Sequence, residues 1–205
     1  MARPLTPLAL TVLRMLFEGP MHPYEMQQQI RVRAYDQAVK LTHGALYSTV
    51  DRLAGNGLIE PLETSREGRR PERTVYAITE RGRDAAQDRL AELLARPEAE
   101  FPLFGTALAL IIMMEPGAAL VHLRTRAVVL QAQVAGEQTA YDALIKRGLE
   151  RPKMLDQELK IAQLRTELDY ITGLIEDLAS GRLDWTPGDS SSCIDRPETP
   201  RKRTS

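Results

Sequence analysis

The chain is poor in the residues that metal sites, disulfide frameworks and most active sites depend on. It has one cysteine, Cys193, and three histidines, His22, His43 and His122, in 205 residues. A single thiol excludes an internal disulfide framework. Four candidate ligands so far apart lack the spacing of a zinc site, and no metal is expected. Cys193 has no basic neighbour closer than Arg196 to activate it, so no redox switch is expected there. Aromatic residues make up only 5% of the chain. No apolar run reaches the roughly 18–20 residues of a membrane span, and the most apolar stretch, 101–114, is too short. The N-terminus, Met1-Ala2-Arg3-Pro4-Leu5, lacks the pattern of a signal peptide. A soluble cytoplasmic protein without membrane contact is the expectation. Also missing are a nucleophile–base pair, a carboxylate pair on one element and a glycine-rich phosphate loop, so neither an enzyme nor a bound cofactor is expected.

An excess of one charge is absent as well: 27 Lys+Arg against 28 Asp+Glu leave a net charge of −1. Its distribution is more informative. Residues 1–86 carry 12 basic and 10 acidic residues, 87–186 carry 11 and 15, and 187–205 carry 4 and 3. The first segment is only mildly basic, so any case for nucleic acid rests on local geometry. With 43% hydrophobic residues the chain can bury a core, and its length suits one or two domains.

The stretch 42–59 organises the rest. Thr42 can cap a helix whose Leu46, Val50 and Leu53 share one buried face. Asn56-Gly57 ends it, because glycine enters the left-handed region without a Cβ penalty. His43, Gly44, Tyr47, Ser48 and Arg52 are left on the other faces, and a short helix with small or polar residues at its exposed start suits a DNA major groove. Before it, Thr6-Pro7 opens a helix with an apolar face of Leu8, Val12, Leu13 and Leu16, stopped by Gly19-Pro20. A second helix starts at His22-Pro23 and carries Tyr24, Met26 and Ile30. After it, segments 58–64 and 73–79 read as two short strands around a basic loop, the second with a period of two. Pro61 fits an edge or a bulge. Thr79 then caps a further helix to about Ala95.

Three helices followed by a two-stranded wing is the winged helix-turn-helix plan. The pattern Gly44-x-Leu46-Tyr47-x-x-Val50-x-x-Leu53-x-x-x-Gly57-Leu58-Ile59 resembles the signature of PadR-type transcriptional regulators. Gly19-Pro20-Met21-His22-Pro23-Tyr24-Glu25-Met26 before it and Arg69-Arg70-Pro71-x-Arg73-x-x-Tyr76-x-Ile78-Thr79 after it resemble the same family. The likeness runs without a gap through about the first 85 residues. It implies a DNA-binding repressor that dimerises through C-terminal helices. Relatives respond to phenolic acids or drugs, and the sequence does not choose among such effectors.

Beyond Pro97 the sequence is helical in character. Segment 101–114 is apolar nearly all round, which predicts burial on most faces. Leu120, Leu123, Ala127, Leu130, Val134, Tyr141 and Leu144 then repeat at spacings of three and four, with Glu137 as the one break. Ile161, Leu164, Leu168, Ile171, Ile175 and Leu178 repeat the same way without a break. These heptad seams pack helix on helix at a shallow angle. Two such helices can form a hairpin, and a second subunit is the expected cover for what it leaves exposed. The expected division is a winged helix-turn-helix domain at 1–86, a mostly helical dimerisation domain at 87–186 and a disordered tail at 187–205, rich in Ser, Pro, Thr and charge.

The candidate DNA contacts are Tyr24, Thr42, His43, Gly44, Tyr47, Ser48, Arg52, Arg66, Arg69, Arg70 and Arg73. His43 and Ser48 would meet base edges, and Tyr47 a phosphate through its hydroxyl. The alternative for Tyr47 and for Tyr24 is the core. The four wing arginines would meet the minor groove or flanking phosphates, against a solvated loop with local pairs to Glu67 and Glu72. Arg201-Lys202-Arg203 could touch phosphate, but a charged tail is more often only solvated. Candidate dimerisation residues are Leu120, Leu123, Leu130, Val134, Ile161, Leu164, Leu168, Ile171, Ile175 and Leu178. Phe101, Phe104, Met113 and Met114 are candidates to line a pocket for a small apolar or aromatic effector, with plain core as the alternative. The expected function is a homodimeric repressor on double-stranded DNA. The alternative is a winged-helix module that binds protein, against which the wing arginines count.

Overall fold

The computed structural model describes residues 4–33, 35, 39–65 and 73–187. The wing-loop arginines Arg66, Arg69 and Arg70, the tail from 188 onward and Cys193 lie outside the described residues. The chain divides into two compact units, residues 1–99 and 100–205.

In the first unit, α1 (Pro7–Glu18), α2 (Pro23–Val32) and α3 (His43–Gly55) precede β1 (Ile59–Ser65), β2 (Arg73–Ile78) and α4 (Glu80–Ala95). Each helix starts where a side chain can satisfy an orphan N–H. Thr6 Oγ1 accepts from Ala9 N at 3.3 Å, Thr42 Oγ1 from Ala45 N at 3.2 Å and Thr79 Oγ1 from Gly82 N at 3.0 Å. His22 opens α2 through a reciprocal arrangement. Its Nδ1 accepts from Tyr24 N at 3.1 Å, while its own N–H donates to Glu25 Oε2 at 3.1 Å.

The core joins Val12, Leu13, Met15 and Leu16 of α1 to Met26 and Ile30 of α2, Leu46, Val50 and Leu53 of α3, and Ile59 and Ile78 of the wing. Leu13, Met26, Ile30 and Leu46 have no exposed surface. Each such side chain contributes about 1.5–3 kcal/mol through its removal from water. Thr49 is buried among them.

The strands pair antiparallel from Ile59↔Ile78 to Ser65↔Arg73, with a register shift between Pro61 and Glu63. Tyr76, opposite Pro61, turns its backbone the other way. Its N–H donates to Met21 O at 3.2 Å and its carbonyl accepts from Met21 N at 3.1 Å. Pro61 therefore faces no ladder donor or acceptor on β2, and its missing N–H costs nothing there. The turn after α1 thus joins the wing as a single bridging residue.

Gly82 explains why α4 belongs to this unit. A Cβ there would lie 2.0 Å from the carbonyl oxygen of Leu58, so only glycine lets α4 approach β1. Thr79 reinforces the joint by donating through its hydroxyl to Gly57 O at 2.9 Å, while its N–H donates to Leu58 O at 3.1 Å. Gly57 itself has φ +68°, the left-handed conformation expected at the end of α3.

The second unit holds α5 (Leu103–Ala109), a 3-10 turn (Ile111–Met113), α6 (Pro116–Lys146), a second 3-10 turn (Arg151–Lys153) and α7 (Leu155–Ala179). α6 and α7 pack as a hairpin within one chain. Leu123, Leu130 and Ile171 form its buried centre, with Ala127, Leu164, Leu168, Ile175 and Leu178 half-buried against them. The break in the α6 seam is closed by chemistry: Glu137 accepts hydrogen bonds from Gln157 and Lys160 of α7. Arg126 pairs with Glu167 across the same seam.

The expectation for segment 101–114 is corrected. Among its helical residues none is buried, and Phe101 is 90% exposed. The reason is geometric. Two helices that spend their seams on each other do not enclose a further segment, and only Phe104 and Ile111 of it pack against the hairpin cluster.

Candidate nucleic-acid interface

α3 presents two faces. Leu46, Thr49, Val50 and Leu53 are buried, while Thr42, His43, Gly44, Ser48, Asp51 and Arg52 are exposed. Tyr47 lies between them, half-buried, with its ring stacked on His43 at 4.3 Å between centroids and 23° between planes. The stack orders both rings at the start of the helix, where an exposed imidazole would otherwise rotate freely. Ser48 is partly committed, because its hydroxyl donates to Gly44 O one turn back. Its oxygen lone pairs remain acceptors. No Cβ clash surrounds Gly44, so its value is the thin profile it gives the exposed first turn rather than any internal packing need.

Arg52 reaches another helix. Its Nη2 donates to Thr6 Oγ1 at 3.3 Å, the same oxygen that caps α1. The sequence identifies Thr6 as a cap and Arg52 as a cation of α3, but their meeting depends on how α1 crosses α3. Tyr24 is 53% exposed near the start of α2 and takes the surface position rather than the core. Arg73 begins β2. In β2, burial pushes the Tyr76 phenol up from its ordinary pKa, and the nearby charge of Asp51 adds to this.

These placements bring Thr42, His43, Gly44, Tyr47 and Ser48 together on one patch of α3. Imidazole nitrogens, a phenol and a hydroxyl can exchange hydrogen bonds with base edges and phosphate oxygens. The backbone N–H groups at the capped end of the helix carry partial positive charge.

The dimerisation candidates lie elsewhere, in the second unit. Leu123, Leu130, Ile161 and Ile171 are buried, and most of the others pack half-buried along the intrachain contact of α6 and α7. Among the pocket candidates, the Phe104 ring lies under the Arg126 guanidinium at 3.9 Å, a cation–π contact. Phe101 and Met113 are open to water. The carbonyl of Met114 accepts from the indole Nε1 of Trp185 at 2.7 Å, which ties the end of the described chain to this segment.

A groove of about 510 Å³ lies instead in the first unit, between α1 and α4 beside Tyr35. It was not foreseen from the sequence, because Tyr35 sits in the connection before α3 and shows no periodic signal. No group of His, Cys, Asp and Glu suited to a metal occurs among the described residues, and no described helix is long and apolar enough to cross a membrane.

Comparison with known proteins accords with this geometry. Residues 12–88 match the transcriptional regulator PadR-like family. No protein of curated function matches the chain. Bacillus subtilis PadR in complex with operator DNA is similar in fold at 16% identity, with a TM-score of 0.70, covering 84% of this chain and 99% of that one. The same protein in complex with p-coumaric acid aligns at 14% identity and a TM-score of 0.69, covering 87% and 99%. A PadR-like transcriptional regulator of Bacillus cereus aligns at 14% identity and 0.60, covering 85% and 99%. At these identities the likeness establishes fold.

Proposed function

We propose, on the premise that residues 12–88 are a PadR-like transcriptional regulator domain, that the chain is a homodimeric repressor that binds an inverted-repeat operator. The observation that carries this reading is the exposed patch of His43, Gly44, Tyr47 and Ser48 on a helix whose opposite face is locked into the core. Each copy offers one α3 to a major groove. Two copies related by a twofold axis read two half-sites about one helical turn apart. In that complex His43 and Ser48 meet base edges, Tyr47 and Tyr24 meet phosphates, and the wing arginines Arg66, Arg69, Arg70 and Arg73 follow the flanking backbone. The operator-bound fold neighbour supports the first part of this reading. The p-coumarate-bound one supports release by a small aromatic effector. In each copy the α6–α7 seam builds the rigid hairpin on which the second subunit docks.

The test is a fluorescence-anisotropy titration on DNA from the protein's own upstream region and on a scrambled control at near-physiological salt. Wild type is compared with Arg69→Ala/Arg70→Ala. Specific binding is expected, and each lost phosphate contact lowers the slope of log K against log salt by about one. A site selection over the whole genome that yields no enriched sequence overturns the reading in favour of a protein-binding winged helix.

A further inference from the structure

One side chain of the α3 patch is both presented to solvent and held in place. His43 opens the helix and is exposed. Its ring lies face to face with that of Tyr47, one turn along, at 4.3 Å between centroids and 23° between planes. Tyr47 is half-buried, so its ring is tied to the domain. The imidazole is seated on that ring.

A stack uses the faces of two rings and leaves their edges free. Both nitrogens of His43 lie on its edge, and neither makes a hydrogen bond among the described residues. The hydroxyls near it are already engaged. Thr42 Oγ1 accepts from Ala45 N at 3.2 Å, and Ser48 donates its proton to Gly44 O. Ser48 therefore faces solvent as an acceptor. His43 by contrast always brings a donor, because a neutral imidazole has one N–H and a protonated one has two.

The base edge that suits a fixed donor is guanine. In the major groove it shows two acceptors side by side, N7 and O6. Adenine sets a donor beside its N7, thymine sets a methyl group beside its O4, and cytosine shows a donor. The free backbone N–H groups at the start of α3 carry partial positive charge and favour the same electronegative edge.

We infer that His43 reads one guanine in each half-site, and that Tyr47 is the positioning residue whose ring fixes the imidazole for that contact. The inference rests on the operator-binding function proposed above and names how its specificity arises. A side chain already held in its bound rotamer has less freedom to lose on binding, so the stack favours the matched base. The Tyr47 hydroxyl is a separate contact, to phosphate, and carries no sequence information.

The test starts with operators selected from randomised duplex DNA by the full-length wild type. Each base pair of one half-site is then replaced in turn, and affinities are read by fluorescence anisotropy at constant salt. Wild type is expected to lose at least about fivefold when one particular G·C pair is replaced. In His43→Ala that loss shrinks to within about twofold, while discrimination at the other base pairs persists and shows that the variant is folded. Tyr47→Leu and Tyr47→Phe both lack the hydroxyl, so the difference between them reports the ring alone. Tyr47→Phe keeps the preference for guanine, and Tyr47→Leu loses most of it. In the His43→Ala background Tyr47→Leu changes discrimination no further, as expected of a residue that acts through His43. Three results overturn the inference and leave the operator function standing: a pair read by His43 that is not G·C, a preference that survives His43→Ala, or equal discrimination by Tyr47→Leu and Tyr47→Phe. A selection that enriches no sequence overturns both.

Discussion

The two units of this chain solve the same problem by different means. The first draws its core from six elements, and Leu13, Met15, Met26, Ile30 and Leu46 are wholly enclosed. The second has two long helices and little to lay over them. Its enclosed centre is Leu123, Leu130 and Ile171, while Val121, Val128, Val129, Leu159 and Tyr170 stand half-exposed or more. A domain of crossing layers can shield its core from all sides, whereas a hairpin shields only the seam. The first unit is built to hold a surface in shape. The second leaves apolar faces of its helices open.

The largest expected effect lies at the joint of the first unit. Gly82→Ala pushes a methyl group into the Leu58 carbonyl, a backbone atom that cannot step aside. A loss of about 3 kcal/mol or more is expected. Hydrogen exchange should locate it in the wing and α4, with the α6–α7 hairpin unaffected. Equal loss in the hairpin would mean that the units do not fold separately.

Core truncation sharpens the contrast next. Leu13→Ala should cost about 3–5 kcal/mol, because a wholly enclosed site cannot collapse around the cavity. Leu130→Ala, on a seam with open flanks, should cost nearer about 2 kcal/mol by the same scale. Urea titrations with regional hydrogen exchange measure both. A Leu130→Ala cost that equals that of Leu13→Ala and grows with protein concentration would show the hairpin to be covered by a second copy.

Smaller effects come from charge. Glu137→Gln keeps the size of the side chain and removes the ion pair with Lys160, so a loss of at most about 1 kcal/mol is expected in the hairpin alone. The smallest concerns acid. Glu18 has its pKa lowered from 4.5 to about 2 by Arg33 and Arg14. Its pairing therefore stabilises the folded state fully above pH 4.5, and this contribution fades as pH falls toward 2. Side chains about a third to a half exposed are screened by water, so the difference between wild type and Glu18→Gln should stay below about 1 kcal/mol. Stability curves of the two proteins at pH 6 and pH 3 should converge at the lower value.

Much of the first unit was legible because its signals are local. Thr6, Thr42 and Thr79 cap the helices where a hydroxyl precedes an apolar period, and Gly57 ends α3 in the left-handed conformation. The outward placement of His43, Gly44 and Ser48 follows from the buried phase of Leu46, Val50 and Leu53. The split role of Tyr47 does not. Its ring borders the core, yet it is stacked on His43, and a helical period cannot say which neighbour an intermediate position will choose. The apolar stretch 101–114 misled for the opposite reason. Composition predicts burial only where other elements exist to do the burying, and the second unit has few.

By itself the sequence determined the order of elements, their caps and ends, the two heptad seams and the polar face of α3, since each depends on residues within a few turns of one another. Tertiary structure alone decided three things: that the seams meet each other within one chain, that Arg52 binds the cap of α1, and that α1, Tyr35 and α4 enclose a groove with Arg14 inside. Each joins residues far apart in sequence. Such contacts are set by the angle at which whole elements pack, and no local pattern encodes that angle.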